Sequence, residues 1–267
     1  MTARLFFVVS IKPTNKKLFQ KEGDSLTNSH YLQQDKHLGD NLYVDNKDAY
    51  LLYNADLADF IYPSGSVSFG ADYQQGLGGG ELLLLSSDNP IPKLQLQFFV
   101  GGADEDEAQR NASGLVAACR ECTLKRGPSR FEYPAILLDY TNISSGVPPY
   151  RSVTLNFAAV CRLPLVSVPL TASGNVYNQG NTPSGVRFEI TPSKKLTSFT
   201  IAGITCKNLA ANETFVIDGI AGKVFSNEDS RFADTDLTEF PTIQPGNNQI
   251  TMSAPVKVII SFYPLFL

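Results

Sequence analysis

"FPTIQPGNNQITMSAPVKVIISFYPLFL", residues Phe240 to Leu267, sets a Pro-Gly-Asn-Asn turn between two stretches that alternate apolar and polar side chains. Pro245 presets φ for a turn, Gly246 supplies a positive φ, and the asparagines can cap the loop. The stretch predicts a tight hairpin whose register turns Ile250 and Met252 inward. In its second limb Val256, Val258, Ile260 and Phe262 share one face, as expected of a strand with one buried side. A segment paired in this way does not fray, because its ladder bonds and apolar face are both used. On this reading the hairpin closes a small β-sandwich.

The preceding residues support that module. Val186, Phe188 and Ile190 alternate with Arg187 and Glu189, and "TSFTIAGITC", "ETFVID", "GKVFS" and "NQITM" follow as further strand candidates. Turn signals (Asn-Gln-Gly-Asn, Pro-Ser, Ala-Gly) recur at the interval of a sandwich, and no helical period appears. At "RLPLVSVPLTASG", Arg162 to Gly174, prolines and small residues appear and charge density falls. A domain boundary is therefore expected near residue 170, dividing the chain into 1–170 and 171–267.

Upstream, one helix is expected from Asp104 to about Arg126. Asp104 can cap it, Glu107 has capping-box spacing, and Glu105 and Asp106 suit the positive end of the dipole. Arg120, Lys125 and Arg126 suit the other end, and Gly127-Pro128 stops the run. Ala108, Ala112, Leu115, Cys119 and Cys122 form a narrow stripe of mostly small residues, so the helix should lie close against a sheet. Strands flank it. Leu94, Leu96, Phe98 and Val100 alternate before it, and Val153, Leu155, Phe157, Ala159 and Cys161 alternate later. "FEYPAILLDY" reads as a strand that Pro134 marks as an edge or a bulge. "YPSGSVSFGADYQQGLGGGELLLL" holds a Gly-rich loop between strand candidates, without the Gly-Lys-Ser/Thr of a phosphate loop, and reads as a long hairpin arm. The first 60 or so residues are polar and irregular, and are expected to wrap a neighbour rather than fill a core.

Composition narrows the function. Hydrophobic residues at 43% and charged ones at 18% describe a globular protein. The net charge of −4 divides into −3 for residues 1–170 and −1 for 171–267, without the basic excess of a nucleic-acid or anionic-membrane binder. No run reaches the roughly 20 apolar residues that span a bilayer. Leu5 to Val9 after Arg4 is shorter than the roughly 7–15 apolar residues of a signal peptide, so it reads as a buried strand and export by the general secretory route is not expected.

Cys119-x-x-Cys122 lacks a second ligand pair for zinc, since Cys161 and Cys206 are isolated and His30 and His37 lie far upstream. All four cysteines read as packing residues in a reducing compartment. The acidic run 104–107 reads as a charged cap, with no calcium-loop glycine following it. Two histidines leave no Ser-His-Asp or Cys-His set, whereas two carboxylates about 5–10 Å apart leave no spacing signature. No catalytic, cofactor-binding or metal-ligating residue is assigned. The three Asn-x-Ser/Thr sequons, at Asn111, Asn142 and Asn212, read as chance matches.

Asn178-x-Gly180 with Pro183, the alternating strand to Ile190, Ile217-Asp218 after "ETFV", and Phe240-Pro241-x-Ile243-x-Pro245-Gly246-x-Asn248-x-Ile250 occur in order. With the final strand, this set resembles the distal tail protein family of long-tailed (siphovirus-type) bacteriophages, which joins tail tube to tip. "LQLQFFVGG", the acidic-capped helix, "FEYPAILLDY" and "SVTLNFAAV" are similar in order and spacing to that family's ring domain. The likeness covers about residues 65–264, and the chain departs from it in its first 60 or so residues and at "YPLFL".

The resemblance implies a mainly β (β-rich α+β) chain. It implies an N-terminal β-sandwich-like ring domain with one α-helix and a hairpin arm, and a C-terminal galectin-like antiparallel β-sandwich. It further implies a homohexameric ring at the virion tail tip, assembled in the host cytoplasm, around a channel through which the genome passes without specific binding. The implied partners are other copies of the chain, the tail tube protein, the tail-tip hub protein and receptor-binding proteins, with no membrane, cofactor or metal. A mildly acidic chain suits such a conduit, because it does not hold DNA by counterion release. A hairpin arm suits strand exchange, which covers exposed sheet edges. The competing reading is a carbohydrate-binding module of a lectin-like adhesin. Against it, the chain has no Trp, and Tyr177 and Tyr263 are the only tyrosines after residue 170.

Overall fold

The computed structural model describes residues 41–65, 70–75, 82–88, 91–144 and 149–267, with only the backbone described at 70–75 and 82–88. Residues 1–40, including the strand expected at Leu5–Val9, and the tip of the hairpin arm lie outside the described residues. The first part contains β1 (Leu42–Val44), β2 (Lys47–Asp48), the short helix α1 (Ala49–Tyr53) and β3 (Ala55–Ile61). A ribbon of β4 (Gly70–Gln75) and β5 (Leu82–Asp88) follows. Then come β6 (Lys93–Val100), α2 (Glu105–Ala118), β7 (Glu121–Arg126), β8 (Tyr133–Ser144) and β9 (Arg151–Ala159). These form an antiparallel sheet in the order β2-β1-β7-β8-β9-β6-β3, while β4 and β5 pair with each other in a separate two-stranded sheet.

Side-chain alternation sets the buried face of this sheet. Leu94, Leu96, Phe98 and Val100 of β6 and Val153, Leu155 and Phe157 of β9 are all fully buried, because successive Cβ atoms point to opposite faces. Helix α2 covers that face with Ala108, Ala112 and Leu115, and the capping residue Cys119 follows on the same stripe. Its start is fixed as the sequence suggests. The Asp104 carboxylate accepts from Glu107 N at 2.7 Å, and the Glu107 carboxylate accepts from Ala103 N at 2.7 Å.

The helix ends earlier than expected, at Ala118, and Glu121–Arg126 is β7. Cys122 and Leu124 turn inward while Thr123 and Lys125 do not, and β7 pairs with both β1 and β8. The spacing from Cys119 to Cys122 fits either a helix or a strand, so only the two pairing partners decide between them. Lys125 and Arg126 therefore lie on a strand, and Gly127, with φ of 41°, turns that strand rather than ending the helix.

Residues 41–61 are likewise ordered rather than irregular. Asp48 caps α1 by accepting from Tyr50 N and Leu51 N, Asn54 ends it in the left-handed region, and Leu42, Val44, Ala49 and Ala55 join the core. Strand β8 is interior, between β7 and β9, with its register broken between Leu137 and Asp139. Pro134 itself is neither at an edge nor in a bulge: it pairs in register with Thr123, and the bulge lies further along the strand.

The second part contains β10 (Cys161–Arg162), β11 (Val166–Leu170), β12 (Gly174–Asn178), β13 (Ser184–Thr191), β14 (Leu196–Ile201) and β15 (Ile204–Leu209). It continues with β16 (Phe215–Asp218), β17 (Lys223–Ser226), β18 (Asp229–Ser230), β19 (Thr242–Ile243), β20 (Gly246–Ile250), β21 (Lys257–Phe262) and β22 (Leu265–Phe266). The main sheet runs β11-β21-β13-β16-β17-β18, with β19 also on β13, and the ribbons β12–β20 and β14–β15 lie apart from it. Val186, Phe188 and Ile190 of the sheet share one core with Val176 of the first ribbon and Phe199, Ile201 and Cys206 of the second. That makes two layers around an apolar centre. Strand β11 pairs with β21 along its whole length, so the boundary expected near residue 170 falls at the end of a strand of this sheet.

The opening stretch departs from its reading in one respect. Gly246 has φ of +86°, and the Asn248 side chain donates to Gln244 O and Gly246 O and accepts from Gln244 N. The bend is therefore formed, yet its limbs do not pair with each other. Strand β19 pairs with β13 and β20 pairs with β12, so the turn hands the chain from the main sheet to a ribbon. Ile250 is buried as expected, while Met252 is only partly so. Strand β21 is interior, with Val258, Ile260 and Phe262 fully buried.

Replacing Asp104 by Ala removes the side-chain acceptor that serves the first turn of α2 and should lower stability by about 1 kcal/mol. Chemical denaturation is the measurement, with Asp106→Ala as a comparison expected to change stability by less than about 0.5 kcal/mol.

Candidate functional site

The chemically reactive residues have structural employment. In the acidic run, Asp104 caps α2, Glu105 meets Arg151 at 2.5 Å, and Glu107 accepts from Ala103 N. Among the described residues no group of three or more His, Cys, Asp or Glu is placed to hold a metal ion, and His30 and His37 lie outside them. Asn111 donates to Gly101 O from within α2, and Asn142 lies on β8, where it donates to Gln109. Asn212 holds a positive φ of 62° in a turn.

All four cysteines are free and buried. Cys119 stands at the C-terminal end of α2, where the helix dipole does nothing to stabilise a thiolate. Its thiol is pushed up by its hydrogen bond with Cys122 and by burial. Burial raises Cys161 as well, and pushes Cys206 up to about 12 with help from the nearby Asp236 charge. These are packing thiols in their neutral form.

A second polar cluster braces the loops of the sandwich. The Arg231 guanidinium donates to Asp234 at 2.6 Å, to Glu213 at 2.8 Å and to Asn208 O at 3.0 Å. The Ser226 hydroxyl donates to Glu213. That bond, with Arg231, holds the Glu213 carboxyl below the usual carboxylate range. Strand β15, the loop that follows it and the segment holding Arg231 and Asp234 meet on one cation here, an arrangement that ties the loops together.

Strand β8 exposes Ile136 at 58%, Leu138 at 54%, Tyr140 at 53% and Ile143 at 61%. The break in register explains why. Ile136 pairs with Ala158 and Ile143 with Ser152 on the outer face, whereas Tyr140 pairs with the buried Leu155. One strand thus presents apolar groups to both sides of the sheet. Two shallow concavities flank it. One of about 540 Å3 is lined by Ile91, Pro134, Ile136 and Val160, with Asp45 and Glu121 at hand. The other, of about 620 Å3, lies between α2 and β8, lined by Val116, Leu137, Leu138 and Tyr140 with Arg120 and Asp139. Between the apolar groups the outer face carries a polar ladder in which Gln95 donates to Asn156 and Asn156 to Asp139. Apolar groups thus stand beside polar ones on this surface. It was not read from the sequence, although "AILLDY" holds four apolar residues where strict alternation would allow fewer.

The two aromatics weighed for sugar binding are placed differently. Tyr177 is exposed at 65% on β12, opposite Asn247 of β20. The ring of Tyr263 is covered by Arg162, whose guanidinium carbon lies 3.9 Å from its centroid.

Residues 179–266 match the family model of the siphovirus-type tail component, C-terminal domain. The C-terminal module is similar to that family. The chain is a structural protein of a phage tail. No curated protein sequence matches it significantly. Among solved structures, the crystal structure of SPP1 Dit (gp 19.1), described as a paradigm of hub adsorption apparatus in Gram-positive infecting phages, is similar with a TM-score of 0.66 at 15% identity. The alignment covers 85% of this chain and 99% of that one, so the two share a fold along most of their length. A chain of the phage P2 baseplate in its activated conformation with calcium is similar with a TM-score of 0.47 at 12% identity, covering 79% of this chain and 91% of that one.

The thiols give this part of the tail protein a pH signature. Cys206 titrates near 12 in the folded chain and from 9.0 when unperturbed. The neutral thiol is thus fully favourable to the fold below about pH 9, and that contribution is lost as pH rises towards 12. Denaturant midpoints should fall from pH 8 to pH 10.5, and Cys206→Ala should shrink the decline.

Proposed function

We propose that this protein forms a hexameric ring at the distal end of the tail, joining the tail tube to the tip and receptor-binding components around the channel for the genome. The observation that carries the reading is the match of residues 179–266 to the tail component family. The shared fold with SPP1 Dit extends the likeness to the first sheet. The N-terminal part, about residues 1–170, serves as the ring unit and the sandwich after it projects outward.

Two features of the first part suit a subunit that meets its neighbours. The ribbon β4–β5 leaves the seven-stranded sheet and pairs only with itself among the described residues, and a strand pair of this kind gains stability when a second surface covers it. The apolar groups on both faces of β8 give a head-to-tail contact something to bury, and such contacts close into rings. No reacting group takes part: the role is positional.

Six copies of the 29.1 kDa chain give a particle of about 175 kDa if the ring closes. Sedimentation of the purified full-length protein should show that species, with sixfold rings in electron micrographs. Leu138→Asp, at an exposed position, should shift assembly to at least tenfold higher protein concentration while leaving the unfolding midpoint nearly unchanged. A monomer that neither self-associates nor enters tails overturns the proposal.

A further inference from the structure

Segment Tyr263–Leu267, "YPLFL", lies between the two core-bearing parts of the chain and touches both. On one side β22 pairs with β10, Leu265 facing Arg162 and Phe266 facing Cys161, and Leu163 N donates to Pro264 O at 2.9 Å. Strand β10 in turn exchanges two backbone hydrogen bonds with Glu132, at the start of β8. On the other side Asn181 N donates to Leu265 O at 3.0 Å, and Leu267 N donates to the Asn181 side chain at 3.0 Å. The Ser184 hydroxyl donates to Tyr263 O at 2.6 Å. Both edges of this short strand are therefore occupied, one by β10, which is itself bonded to Glu132 of the first part, and one by Asn181 of the sandwich.

Side chains repeat the pattern. Arg162 lies against the Tyr263 ring at 3.9 Å, with Nε 3.4 Å from the Glu132 carboxylate, and Phe131 meets Phe266 edge to face at 5.2 Å. Gly180 shows how closely the segment is seated, since a Cβ there would lie 2.5 Å from Leu265 O. A cavity of about 280 Å3 opens beside it, lined by Pro134, Val160, Gly185, Gly219 and Ile220. Neither hydrophobic core includes any residue of the segment.

We infer that Tyr263–Leu267 is a strap that fixes the angle between the first sheet and the sandwich, and that both cores persist when it is released. Without it the covalent link through Leu163–Leu165 becomes a hinge. The strap works in the single chain, so it stands whether or not six copies close into a ring.

Two variants of the full chain test this. One stops after Pro264, removing β22, and the other is Gly180→Val, which keeps every residue of the strap and obstructs its seat. Small-angle scattering on monomeric protein should broaden towards larger interatomic distances in both. Trypsin should cleave after Arg162 at least tenfold faster, because β10 loses a pairing edge. Circular dichroism should stay that of the parent, reporting intact cores. Unchanged scattering in both variants overturns the inference, with or without faster cleavage. So does loss of the β-sheet spectrum in Gly180→Val, which would make the segment part of the fold itself.

Discussion

Strand β21 is the member on which the second half of the molecule depends. It lies between β11 and β13, and its inward residues Val258, Ile260 and Phe262 are fully buried. A strand with two partners satisfies its backbone groups on both edges, so no part of its ladder is open to water. Strand β11 reaches the main sheet only through β21, and the core contributed by β13 is completed by it. Beyond Tyr263 and Pro264 the same chain enters β22, which pairs with β10 and sets Phe266 against Phe131 of the first part. The sandwich and its connection to the first sheet are thus held by one continuous run.

The phage tail role rests on the family match of residues 179–266, and the side chains are arranged compatibly with it. Asp104 caps a helix, Glu213 and Asp234 clamp Arg231, and the four cysteines are buried. Strand β8 carries several exposed apolar side chains. A structural protein of a phage tail needs contacts rather than turnover, and this distribution of chemistry provides them.

Alternation made much of the fold legible in the sequence. The buried sets on β6, β9, β13 and β21 follow directly from period-two spacing, and the start of α2 follows from Asp104 and Glu107. The end of α2 was not legible, because Cys119 and Cys122 suit either period and the outcome rests on β1 and β8, far off in sequence. The pairing around Gly246 was hidden for the same reason: the bend is local, whereas the choice of β12 and β13 as partners is not. The apolar surface of β8 escaped notice because a bulge shifts the face to which each residue belongs, and a bulge carries no marker beyond Pro134 nearby.

The position of β21 also has a consequence for synthesis on the ribosome. All residues of the first core lie between 42 and 159, so that half can fold while the rest is still emerging. The sandwich must wait, since β11 and β13 are held apart until residues 257–262 have cleared the exit tunnel and slipped between them. Closing so long a loop is slow compared with forming local structure. A newborn chain therefore completes its first sheet well before its sandwich exists, and the order in which its two cores form is partly written in the chain's direction of growth.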